Sequence, residues 1–80
     1  MNVSVEISMY PLIKQYREPI KNFIDRISNH SEILIDYGKM SSTLFGDYHV
    51  IMPLLEHAIE TTLKEVPQSV FIIKLSGGCH

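Results

Sequence analysis

The sequence predicts an α+β fold, a ferredoxin-like βαββαβ sandwich with a four-stranded antiparallel sheet and two helices on one of its faces. Three observations lead there. Two stretches, 3–10 and 69–76, alternate apolar and polar residues or run apolar at strand length. Two others, 17–28 and 51–63, repeat apolar residues at helical spacing. Between the helical stretches lie two short strand-like runs joined at Gly38-Lys39, which fits a two-residue hairpin turn. Right-handed crossovers then give the order 4-1-3-2, with the first and third strands central.

In the opening strand Val3, Val5, Ile7 and Met9 point one way, and Ser4, Glu6, Ser8 and Tyr10 the other. Pro11 ends it. Pro19 suits the first turn of the next helix, where Ile20, Phe23, Ile24 and Ile27 form one apolar stripe. "EILIDY" is the second strand. A two-residue turn pairs Tyr37 with Met40, Asp36 with Ser41, Ile35 with Ser42 and Leu34 with Thr43. The face bearing Ile33, Ile35, Tyr37, Met40, Ser42 and Leu44 is the more apolar and is expected to meet the helices. Asp47 is placed to cap the second helix, whose stripe runs Ile51, Leu54, Leu55, Ala58, Ile59, Thr62 and Leu63. Pro53 predicts a start only near Val50, or a kink. In the last strand Phe71, Ile73 and Leu75 oppose Val70, Ile72 and Lys74.

Eighty residues make one domain, expected over 1–76 with a flexible tail at 77–80. So short a chain buries only about 60% of its unfolded surface, which favours self-association. Seven basic against nine acidic residues, with no basic run, argue against a nucleic-acid partner. The apolar runs fall short of the ~20 residues a membrane span needs, and no signal peptide is legible, so a cytoplasmic location is expected. The single cysteine, Cys79, forms no CxxC. Cys79 and His80 make a poor chelate, and His49 and His57 lie two helical turns apart, so no metal or other cofactor is expected. His30 has no legible role.

The "MSSTLF" stretch places three hydroxyls in the middle of a central strand. On the helix-free face the pleat groups Glu6, Ser8 and Tyr10 with Ser41, Thr43 and Phe45, flanked by Leu34 and Asp36 on one side and Val70, Ile72 and Lys74 on the other. Such a face, polar at its centre and apolar at its rim, suits a ligand site or an interface. The plainer reading is a solvated sheet face with a Glu6–Lys74 cross-strand ion pair.

"VEISMYPL" at 5–12, "MSSTLFGDY" at 40–48 and the closing "VFIIKLS" resemble the YkoF family of bacterial proteins that bind thiamin and its hydroxymethylpyrimidine moiety. The better-known members carry two ferredoxin-like repeats; this sequence looks like one. The resemblance implies non-catalytic ligand binding on the open face, completed by a homodimer or homotetramer joined through sheet faces. Residue chemistry then proposes the roles. Glu6 accepts from the pyrimidine amino group or, protonated, donates to a ring nitrogen. Ser8, Ser41 and Thr43 hydrogen-bond, and Tyr10 and Phe45 stack. Asp36 or Glu6 faces the thiazolium cation, which Lys74 opposes unless Glu6 neutralises it. Three other readings use the same face: a small dimeric α+β enzyme, an ACT-like regulatory module, and a surface that only dimerises. No nucleophile–base pair, metal set or phosphate loop is legible for the first of these.

Overall fold

The structure, a computed structural model, describes residues 1–28, 34–37 and 41–77, with the backbone alone over 34–37. Its elements are β1 (Asn2–Tyr10), α1 (Arg17–Ser28), β2 (Leu34–Tyr37), β3 (Ser41–Asp47), α2 (Tyr48–Glu65) and β4 (Val70–Ser76). The strands form one sheet in the order β2-β3-β1-β4. Every neighbouring pair is antiparallel. The expected Gly38-Lys39 turn, His30 and the terminal Cys79 and His80 lie outside the described residues.

Alternation in β1 sorts its side chains cleanly. Val3, Val5, Ile7 and Met9 are buried, while Ser4, Glu6, Ser8 and Tyr10 are half-buried on the opposite face. The buried set joins Leu44 of β3, Phe23 and Ile27 of α1, and Ile51, Leu55 and Ala58 of α2 in one core. Burying this contiguous apolar surface is the main favourable term in folding.

The β2–β3 register differs from the one a two-residue turn dictates. Leu34 pairs with Phe45, Ile35 with Leu44, Asp36 with Thr43, and Tyr37 with Ser42. Each partner is displaced by two positions. An even displacement leaves the pleat parity of the pairing unchanged, whereas a slip of one would reverse it. The pairing is anchored by β3, whose Leu44 must stay in the core between Val5 and Ile35.

Helix α2 begins at Tyr48, two residues ahead of the expected start. Asp47 is its N-cap: the backbone N–H of His49 donates to Asp47 Oδ1 at 3.1 Å. That cap satisfies one of the free first-turn donors and draws the helix forward past Pro53, which sits inside it. The far end closes with the Val66 N–H on the Thr62 carbonyl at 2.8 Å, and Pro67 follows.

Helices α1 and α2 are clamped at one end by Arg26. Its Nη1 donates to Thr62 Oγ1 at 2.9 Å and its Nη2 to both Glu65 carboxylate oxygens at 2.7 Å. Thr62 is buried and Glu65 half-exposed, so the contact is one part internal hydrogen bond and one part solvent-screened ion pair. Arg26→Ala is expected to cost about 1 kcal/mol in urea unfolding, with Glu65→Gln costing less. Equal losses for the two would show that the Thr62 bond contributes nothing.

Helix α1 reaches β4 through Phe23, whose ring lies 5.0 Å from that of Phe71 at a tilt of 49°. Cover stops there. Ile73 and Leu75, on the side of the sheet expected under the helices, are both 48% exposed. Both helices send their buried residues over β1 and β3, so the edge strand is packed only at its first turn of chain.

Candidate functional site

The structure assembles most of the predicted face. Glu6 sits opposite Thr43 on β3 and Lys74 on β4. One row along, Ser8 sits opposite Ser41 and Ile72. Tyr10 lies opposite Val70, and Phe45 opposite Ser4. With strands about 4.8 Å apart, Lys74, Glu6 and Thr43 form a line roughly 10 Å long across the middle of the sheet. The backbone of Asp36 extends that line beyond Thr43; its side chain lies outside the described residues.

The centre of the face is polar and half-buried: Glu6, Ser8, Tyr10, Ser41 and Thr43. The rim is apolar and exposed: Phe45, Val70 and Ile72. The Lys74 ammonium lies 3.4 Å from Glu6 Oε1, so the two charges at the centre offset each other. Both partners are substantially exposed, and such a pair is worth about 0–1 kcal/mol. A ligand with a donor edge can therefore take the carboxylate from Lys74 at little cost. Hydroxyls on both flanking rows offer donors or acceptors as a ligand requires.

Tyr10 and Ser41 border a second feature, a cavity of about 300 Å³ beneath the β1–α1 connection. Its other walls include Ile20, Ile24 and Ser42, which sequence reasoning assigned to the core or the helix-covered face. Apolar residues at helical spacing look the same whether they meet a partner or a void. The one available signal was "PLIKQY", a run of large side chains in a connection where small polar residues are usual. Among the described residues no cluster of three or more His, Cys, Asp or Glu could hold a metal ion. No described helix is long and apolar enough to cross a membrane.

No family model and no curated protein matches the chain. Several solved structures share its fold. Protein SP2199 of Streptococcus pneumoniae superposes with a TM-score of 0.88 at 20% identity, over 98% of this chain and 88% of that one. A Thermotoga maritima protein, TM0486, gives 0.84 at 20% identity over 98% and 85%; its name assigns it provisionally to thiamine biosynthesis or salvage. A Bacillus cereus domain of unknown function, DUF77, gives 0.69 at 18% identity over 98% and 77%. At these identities the likeness shows a shared fold, and a fold alone does not carry a function.

Proposed function

We propose that this chain is a ferredoxin-like, non-catalytic binder of thiamin or its hydroxymethylpyrimidine moiety. The carrying observation is the grouping of Glu6, Ser8, Ser41 and Thr43 at the centre of one helix-free sheet face. One ionisable acceptor amid three hydroxyls matches an aminopyrimidine, which presents an amino donor beside ring-nitrogen acceptors. Tyr10 and Phe45 supply rings against which a flat heterocycle stacks. The name of the Thermotoga neighbour points to the same chemistry.

An open sheet buries only one side of a ligand, and small-molecule sites bury most of both. A second copy laid face to face on the first closes the site. The apolar rim of Phe45, Val70 and Ile72 then meets its counterpart, and in that arrangement Glu6 and Lys74 of one copy complement those of the other.

Titration calorimetry against thiamin and hydroxymethylpyrimidine tests this. Saturable binding is expected, weakened about tenfold by Glu6→Gln or Thr43→Val, the loss of one good hydrogen bond. The ligand is expected back unchanged after prolonged incubation, and light scattering is expected to show a dimer. No heat at millimolar concentrations of either compound would discard the ligand assignment. A monomer that binds tightly would discard the face-to-face closure.

A further inference from the structure

Edge strand β4 lacks the devices that keep a sheet from pairing with another chain. It stands last in the order β2-β3-β1-β4, so among the described residues no strand lies along its outer edge over 70–75. Such an edge is a template for a further strand, and proteins blunt it with shortness, a bulge, a proline or a charge. Strand β4 is seven residues long. Its pairing with β1 runs from Tyr10↔Val70 to Ser4↔Ser76 with no skipped position, hence without a bulge. It contains no proline. Its one charged residue, Lys74, is offset by Glu6 of the same chain at 3.4 Å. The opposite edge strand, β2, has only four residues, one of them Asp36.

Both faces of β4 are apolar and uncovered. Val70 and Ile72 on the open face, and Ile73 and Leu75 on the helical face, are each nearly half exposed. Single exposed apolar residues are ordinary, but a contiguous set along one edge marks an interaction surface.

We infer that β4 is a self-association edge, pairing antiparallel with β4 of a second copy to make one continuous sheet. The strand is self-complementary in one register. Ile73 is its middle residue, so a twofold axis at Ile73 pairs the whole strand. Ile73 then faces Ile73, Phe71 faces Leu75, and Ile72 faces Lys74 of the second copy. On the helical face Phe71, Ile73 and Leu75 of both copies join in one apolar strip. Each α1, which reaches β4 through Phe23, flanks that strip. On the open face each Lys74 lays its methylene stem along Ile72 and keeps its ammonium on Glu6. An axis at Lys74 would instead set two ammonium groups directly opposite each other, which is destabilising. The contact uses each edge once, so it closes and does not propagate into a fibre. One strand pair is at the small end of specific interfaces, so it forms as concentration rises. Combined with the face-to-face contact, it joins two dimers into a tetramer.

Sedimentation velocity of the full chain over a concentration series tests this. The mass is expected to double once and then level off. Ile73→Lys places two ammonium groups on the axis, at a position that is exposed in the single chain and away from the ligand face. It is expected to abolish the doubling and to leave thiamin affinity unchanged. Should that variant fail to fold, cross-linking gives a second reading. In a Cys79→Ser background, Ile73→Cys is expected to form an intermolecular disulfide under mild oxidation, because directly opposite Cα atoms lie about 4.5–5.5 Å apart. Leu75→Cys, whose counterpart lies four positions along, is expected to stay unlinked. The doubling is scored from whichever species the dilute chain adopts, so its failure and the failure of the ligand reading are distinguishable. A mass constant up to millimolar concentration would leave the edge to a strand of another protein and overturn the self-pairing. Open-ended growth, doubling that survives Ile73→Lys, or equal cross-linking at 73 and 75 would overturn it as well.

Discussion

Leu44→Ala is expected to lower the stability of the domain by about 3 kcal/mol, within the 2–5 kcal/mol seen for fully buried large-to-small changes. Leu44 is 0% exposed. It sits on central strand β3, between Val5 on one side and Ile35 on the other. Truncation removes the transfer free energy of its side chain and leaves a void that a hydrogen-bonded sheet cannot close. A domain of this size commands about 4–12 kcal/mol in total, so the loss is a large fraction of it. The midpoint of urea unfolding should fall with its slope unchanged, and the melting temperature should fall by more than about 10 °C. Leu44→Met keeps most of the volume and should cost under about 1.5 kcal/mol. A loss below about 1 kcal/mol for the alanine variant would mean that β3 does not anchor the core.

Pro53→Ala should act in the opposite direction, raising stability by about 2 kcal/mol. Pro53 is exposed and lies inside α2, past the first turn. It cannot donate to the His49 carbonyl four residues back, and its ring crowds the preceding turn. Proline is about 3 kcal/mol less favourable than alanine in a helix interior. Its stiffening of the unfolded chain recovers up to about 1 kcal/mol of that. The net gain should raise the melting temperature by roughly 8–16 °C. A variant no more stable than the parent would show that α2 is distorted at this point so as to accommodate the ring.

The two variants probe different levels of what the chain encodes. Period-two alternation in β1 was legible, and Val3, Val5, Ile7 and Met9 are buried as that pattern requires. The limits of α1 and the cap at Asp47 were legible too, because a proline at the third residue and an aspartate ahead of an apolar run act locally. The grouping of Glu6, Ser8, Ser41 and Thr43 followed from parity alone. It is set by the β1–β3 pairing, which the two-position change between β2 and β3 leaves untouched.

Other features depended on contacts far apart in sequence. Helix α2 starts at Tyr48 despite Pro53 because the cap and the core contacts of Ile51 and Leu55 outweigh one proline. Ile73 and Leu75 stand exposed although their pattern matches that of buried strands, since the helices end their cover over the neighbouring strand. The cavity, and the left-handed Leu12 at its mouth, came from the way α1 settles on the sheet. Which side of each strand is apolar can be read from alternation alone, because the pleat gives every residue only two choices. Which apolar surfaces find a partner is settled by folding, because that depends on where two rigid helices come to rest on a twisted sheet.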